Sequence, residues 1–391
     1  MESYQFDEVL NRVQTHSVKF DLRRMIFGTD DVLPLWVADM DFKTPDFIVE
    51  AIRRRLAHEI FGYTYVPESF FESIQAWMKK RHGWPVEREW LLCCPGVVPA
   101  LVLAVLSFTE PGDPVVVQPP VYFPFFSVIR DNGRVVIDNP LVLREGRLSM
   151  DDVHLAACLE QNVKLLLLCS PHNPGGSVWT RRELERLGEL CTEKGVLIVS
   201  DEIHSDLIFK GHKHVPTASV SDEVARRTVT LISPTKTFNT AGLPIATAII
   251  PDVDLRRRFQ RTMENLHLTI PNVLSVAALE SAYTHGERWL EQLLDYLENN
   301  LNYTVAFFER HIPEIRVIKP EGTYLVWLDC RGLGMNHDQL QAFMVGRARV
   351  GLNDGLKFGL GGDRFLRLNM ACPLSVLKEA LERIEQAVRA R

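Results

Sequence analysis

The sequence predicts an α/β fold, a mostly parallel mixed sheet sandwiched by helices, joined to a smaller α+β domain. Three observations carry this. Short apolar runs of strand length alternate with helical segments from Val115 to Ile250, the pattern of a sheet covered on both faces. Two long helical patterns lie at Glu287 to Arg310 and from Leu374 to the end. Between them, Arg316 to Ile318, Gly322 to Asp329 and Phe365 to Met370 read as strands of a second sheet.

In chain order, Thr44-Pro45-Asp46 reads as a helix start, with a hydroxyl cap, a proline in the first turn and then an acid. Phe47, Ala51, Ile52 and Leu56 recur behind it at helical spacing. A second amphipathic helix spans Glu68 to Arg81, and Pro95-Gly96 introduces an apolar helix from Val97 to Phe108. Strands follow at Val115 to Val117, Val135 to Ile137 and Lys164 to Cys169, the last between helices Asp151 to Glu160 and Arg181 to Lys194. Val196 to Ser200, Val229 to Ile232 and Ala246 to Ile250 complete the series. In the long helix, Trp289, Leu290, Leu293, Leu294 and Leu297 share one side. We divide the chain into an N-terminal segment (1–45), a large domain (46–284) and a small C-terminal domain (285–391). The N-terminal segment is expected to pack on the small domain, because its few apolar residues cannot bury themselves alone.

A length of 391 residues allows more than one core. With 46% hydrophobic and 24% charged residues, the composition is that of a soluble globular protein. A net charge of -6 gives no footprint for nucleic acid. The basic runs Arg53 to Arg55 and Arg256 to Arg258 read as solvated helix faces. The seven cysteines are scattered, and adjacent Cys93-Cys94 lack metal-ligand spacing, so a reduced, cytoplasmic protein is expected. Met1 to Asp21 is mixed and polar, unlike a signal peptide. No apolar run is long enough to span a bilayer. His212-Lys-His214 reads as a surface pair with nothing nearby to complete a metal-ligand set. No G-x-G-x-x-G follows a strand, so a dinucleotide site is unsupported.

Three motifs carry chemistry, each at the end of an apolar run: Ser170-Pro-His-Asn-Pro-Gly-Gly176, Val199-Ser-Asp-Glu-Ile-His204 and Ser233-Pro-Thr-Lys-Thr-Phe-Asn239. Asparagine, aspartate and lysine in this order are the minimum equipment for holding pyridoxal 5'-phosphate. Lys236 is the candidate Schiff-base former, and must be partly desolvated to be neutral and nucleophilic. Asp201 should face the pyridine nitrogen, and Asn173 should bond the cofactor's phenolic oxygen. His204 either donates to the same oxygen or is a satisfied structural histidine. Gly96 opens a helix whose free N–H groups at Val97 and Val98 suit a phosphate. Ser233 and Thr235 would add hydroxyl donors, and Tyr122, in a Pro-rich loop, would stack on the ring. Arg367, expected mid-strand and buried, needs a carboxylate partner, which a substrate α-carboxylate or a structural salt bridge could provide. Ligands of parallel sheets bind beyond the carboxyl ends of the strands, and Asn173, Asp201 and Lys236 all fall there.

With these motifs the chain resembles the fold-type I pyridoxal-phosphate enzymes, the aspartate aminotransferase superfamily. More narrowly it resembles the MalY/PatB group of cystathionine β-lyases, or C–S lyases. The narrower likeness rests on Pro34-Leu-Trp-Val-Ala-Asp-Met-Asp-Phe42, Phe61-Gly-Tyr-Thr64, Leu168 to Pro174, Val199 to Asp206 and Thr235 to Asn239, and covers essentially the whole chain. The resemblance implies a homodimer with active sites at the subunit interface. It assigns Tyr63 to the neighbouring subunit's cofactor phosphate, with Tyr65 as the alternative. Three positions depart from the wider superfamily. His204 stands where many members carry tyrosine, and Pro244 where many carry a phosphate-binding arginine. Asn-Pro-Gly-Gly replaces the commoner Asn-Pro-Thr-Gly, which should loosen that turn.

The expected activity is α,β-elimination from an amino acid with a β-thioether, such as cystathionine, giving a thiol, pyruvate and ammonia. Lys236 would act as general base, Lys236 or Tyr122 would assist the departing thiol, and Arg367 and Asn173 would hold the substrate. An aminotransferase needs the same residues, and a regulatory binding protein on the same fold is the third alternative. The substrate side chain should be read by loops at Leu22 to Asp31, Thr262 to Asn272 and Leu352 to Gly362, which carry no decisive charge.

Overall fold

The computed structural model describes residues 3–391. Its main sheet has seven strands in the order Leu91–Cys94, Ala246–Ile249, Thr228–Ile232, Leu197–Asp201, Leu165–Cys169, Pro114–Val117 and Val135–Asp138. The last five are mutually parallel, and Ala246–Ile249 runs antiparallel to both its neighbours. Sequence reading missed the edge strand Leu91–Cys94. It also could not orient Ala246–Ile249, because an apolar run reads the same in either direction.

Side-chain alternation places this sheet between two cores. Leu165, Leu167 and Cys169 face a cluster with Leu101, Val105 and Phe259, from the helices Val97–Phe108 and Val253–Asn265. Leu166 and Leu168 face the opposite cluster, with Leu155, Leu184 and Leu187 from Asp152–Leu159 and Arg181–Glu193. Both faces are therefore apolar, which is why the strands read as unbroken hydrophobic runs. Arg181–Glu193 begins with a reciprocal capping box between Thr180 and Glu183.

A third core joins the chain ends. The helices Asp46–Leu56, Glu68–His82, Val273–His285 and Glu287–His311 pack there with the C-terminal helix Leu374–Arg389 and a four-stranded antiparallel sheet. That sheet orders Arg316–Ile318, Leu325–Asp329, Phe365–Asn369 and Asn353–Asp354. The N-terminal segment packs against these C-terminal elements. Phe6 meets Trp289 and Tyr296 edge-on or tilted, and Leu33–Pro34 pairs in parallel with Val350–Gly351. It also crosses to the site. Asn239 accepts from the Met40 N–H and donates to the Met40 and Phe42 carbonyls.

Four local expectations need correction. Pro45, not Thr44, occupies the cap position of its helix, and the Thr44 hydroxyl donates to the Asn239 carbonyl instead. The Asn-Pro-Gly-Gly turn is tight rather than loose. A Cβ on Gly176 (φ +71°) would lie 2.2 Å from Pro320 Cβ, and one on Gly175 would lie 2.6 Å from Leu148 Cδ1. The glycines are required by the close approach of neighbouring chain. His214 is buried and bonds Glu202 at 2.8 Å, so it is no surface partner of His212. Arg256 and Arg258 donate to the Ile250, Pro251 and Ser107 carbonyls, so that basic run is partly committed to the fold. Among the described residues, no helix is long and apolar enough to cross a membrane.

Candidate active site

A cavity of about 370 Å³ opens at the carboxyl ends of the parallel strands. Gly96, Val97, Val98, Tyr122, Asn173, Asp201, His204, Thr235 and Lys236 all line it. Adjacent strands deliver several of these residues. Cys169 is paired with Asp201, and Asp201 with Leu231, so the chain turns from neighbouring strand ends into one space.

Lys236 sits on a single helical turn, Pro234–Thr237, capped by the Ser233 hydroxyl. Its Nζ donates to the Ala38 carbonyl at 2.7 Å. Burial, reinforced by the Arg367 charge, lowers the amine to about 8 against the opposing pull of Asp39 and Asp201. Asp201 is also fully buried. Burial raises its carboxyl to about 7, although the Ile203 N–H and Lys236 act the other way. Burial pushes His204 down to about 3, keeping the ring neutral, and its Nδ1 has no partner.

Arg367 lies mid-strand in Phe365–Asn369 and is buried, as expected, but among the described residues no carboxylate pairs with it. It donates to Asn173 Oδ1 and to the Trp36 carbonyl, both at 2.9 Å, while its buried Nε has no partner. Burial lowers the guanidinium to about 10. Arg367 therefore stands behind Asn173 as a cation with neutral partners, its guanidinium 5.0 Å from the centre of the Phe358 ring. The helix Val97–Phe108 has no side-chain cap, so its first N–H groups remain available on the cavity wall.

Ser233, Tyr63 and Tyr65 stand apart from this group. The Ser233 hydroxyl donates to the Ile245 carbonyl and lies beneath the wall rather than on it. Tyr63 and Tyr65 are 97% and 80% exposed and touch no part of this chain's cavity. Sequence reading missed Ala38, whose carbonyl also accepts from the Tyr324 hydroxyl at 3.0 Å. It also missed Tyr324, whose ring meets His204 edge-on. A backbone acceptor leaves no signal in residue identity.

These features suit pyridoxal phosphate: a buried amine lowered to about 8, a buried carboxyl raised to about 7, and a helix N-terminus without a side-chain cap that suits an anion. Residues 30–384 match the family described as aminotransferase class I and II. The chain is 46% identical over 384 residues to the cystathionine β-lyase PatB of Bacillus subtilis, covering 98% of this chain and 99% of that one. It is 34% identical over 391 residues to protein MalY of Escherichia coli, covering 99% of both. Cystalysin from Treponema denticola, solved with a pyridoxal 5'-phosphate cofactor, superposes with a TM-score of 0.96 at 36% identity over the full length of both chains. The chain belongs to the aminotransferase class I and II family, in the group that contains PatB and MalY.

Proposed function

We propose that this chain is a pyridoxal-phosphate-dependent C–S β-lyase that cleaves cystathionine or a related cysteine thioether to a thiol, pyruvate and ammonia. The observation that carries the reading is the convergence of Lys236, Asp201 and Asn173 on one cavity, with Arg367 bonded to Asn173 behind it. The names of PatB and of the structurally similar Staphylococcus hominis C–S lyase favour elimination over amino transfer.

Lys236 would anchor the cofactor, Asp201 would hold the proton on its ring nitrogen, and Asn173 and His204 would lie on its phenolic-oxygen side. The Val97 and Val98 N–H groups and Thr235 would receive the phosphate, and Tyr122 would cover the ring. Pyridoxal phosphate supplies a sink for the electron pair left at Cα. Lys236 Nζ, neutral above about pH 8, takes the α-proton. Arg367 and Asn173 bind the α-carboxylate and fix which bond at Cα stands ready to break. Lys236 or Tyr122 returns a proton to the departing sulfur. Water then converts the released unsaturated amine to pyruvate and ammonia.

A homodimer accounts for the exposed run of Ile60, Phe61, Tyr63 and Tyr65, which would carry Tyr63 to the neighbouring subunit's phosphate. A cytoplasmic location is consistent with seven free cysteines. The test is to add L-cystathionine to cofactor-loaded protein and assay pyruvate and visible absorbance together. Pyruvate release, absent in Lys236→Ala, supports the lyase. Conversion of the cofactor to its amine form without pyruvate would replace it with a transaminase.

A further inference from the structure

Lys236 rides on one helical turn, and one turn does not hold its own geometry in water. Its direction must come from neighbours. On the front, the Ser233 hydroxyl bonds the Ile245 carbonyl. On the back, Thr237, the next residue, is wholly buried, and its hydroxyl donates to Asp206 Oδ2 at 2.9 Å. Asp206 Oδ1 is bonded by Trp77 Nε1 at 3.0 Å and His82 Nε2 at 2.9 Å, both from the helix Glu68–His82.

Asp206 thus joins three elements: the lysine turn, the loop that follows Asp201, and a helix from the third core. Trp77, His82 and Arg81 come from that helix, Thr237 from the turn and Tyr283 from the helix Val273–His285. Burial works to raise Asp206, but its hydrogen bonds with His82 and Thr237 and the nearby charge of Arg81 outweigh it, so the carboxyl titrates below its ordinary range. An ionised, fully bonded carboxylate is a rigid anchor.

We propose that Asp206 is a positioning residue for Lys236. Held by Trp77 and His82, it fixes the Thr237 hydroxyl and so aims the neighbouring amine across the cavity toward the Ala38 carbonyl. The inference rests on Lys236 being the cofactor-binding lysine. It adds a support that touches neither cofactor nor substrate.

The test uses cofactor-stripped protein and pyridoxal without its phosphate, so that the phosphate seat takes no part. The rate of condensation at Lys236 is followed by absorbance from pH 6 to 10, beside the melting temperature. Thr237→Val should slow condensation by roughly ten- to hundredfold, the cost of misdirecting a reacting group, and move the midpoint of its pH profile from about 8. Thr237→Ser should restore most of the rate, and Asp206→Asn should behave like Thr237→Val. If Lys236→Ala reacts as fast as the parent, the reading of the site fails and this inference falls with it. If the parent reacts through Lys236 but Thr237→Val keeps its rate and profile, whatever its melting temperature, the positioning role alone is refuted.

Discussion

Replacing Asp201 with asparagine should stabilise the cofactor-free protein while disabling the loaded one. The carboxyl ordinarily titrates at 3.8, and burial raises it to about 7 in the fold. Between these values the folded state holds a proton that the unfolded state has lost. Stability therefore falls as pH rises through this window and is level above it. At about 1.4 kcal/mol per unit, the full cost of the buried charge is about 4 kcal/mol above pH 7. It is already about 1.5 kcal/mol at pH 5.

Asparagine has nearly the same shape and can still accept from the Ile203 N–H, which lies 3.1 Å from Asp201 Oδ1. Its advantage should thus grow with pH. For a chain of this length the gain in apparent Tm is about 2 °C at pH 5 and about 5 °C at pH 8.5. The higher pH is the cleaner comparison, because Lys236, lowered to about 8, is then largely neutral and no longer relies on the Asp201 charge. Thermal unfolding of stripped protein across this range is the assay. With cofactor and cystathionine, the same variant should lose at least about a hundredfold in kcat, since the ring nitrogen has no anion opposite it. A stability difference that is constant with pH, or that shrinks as pH rises, would refute the reasoning.

Further outcomes follow from other parts of the site. Arg367→Lys keeps a cation but cannot bond Asn173 and the Trp36 carbonyl together, so KM for cystathionine should rise roughly ten- to hundredfold with a smaller effect on kcat, read from steady-state pyruvate release. Gly176→Ala combines a left-handed backbone with a Cβ 2.2 Å from Pro320, and should cost roughly 3 kcal/mol, lowering Tm by about 4 °C in thermal unfolding. Tyr63→Phe removes a hydroxyl from a residue that is 97% exposed in one chain, so Tm of stripped protein should not change. Its affinity for pyridoxal phosphate, titrated by absorbance, should fall about tenfold if Tyr63 reaches the neighbouring phosphate.

The parts of the fold that were legible are those whose burial leaves a mark on composition. Leu165 to Cys169 is covered on both sides, so its sequence is continuous in apolar residues and its end is sharp; Thr228–Ile232 is equally buried, and its Leu231-Ile232 end is as sharp although threonines interrupt the run. The motif residues were legible because they fall at those ends. Val273–His285 was missed for the opposite reason. It is wedged between Asp46–Leu56 and Glu68–His82, so apolar and small residues appear around it and no single stripe stands out. The contribution of the N-terminal segment was illegible in another way. Ala38 meets Lys236 across 198 residues of sequence and does so through a carbonyl that any residue would carry. The Gly175-Gly176 pair misled because glycine signals both freedom and close approach, and only the position of Pro320 and Leu148 decides between them.

Two neighbouring acids show how the site differs from its support. Asp201 and Glu202 are adjacent and both are fully buried, yet burial wins at Asp201 and loses at Glu202. The difference is partners. Glu202 is bonded by His214, the Ser200 hydroxyl and the Thr217 N–H, whereas Asp201 has one backbone N–H and the through-space pull of Lys236. Asp206 repeats the Glu202 arrangement with His82, Trp77 and Thr237. Carboxylates facing the helices are thus saturated by the protein, while the one facing the cavity is not. The same holds for the cations. Lys19, also buried, is met by Asp41 at 2.7 Å, but Arg367 has two neutral oxygens, the Phe358 ring and an unpartnered Nε in place of a carboxylate. A buried charge without a partner is costly, and the fold tolerates these two only beside the cavity. Their signs specify what should complete them: a protonated ring nitrogen opposite Asp201 and a carboxylate opposite Arg367. A cofactor ring and an amino-acid substrate bring one of each.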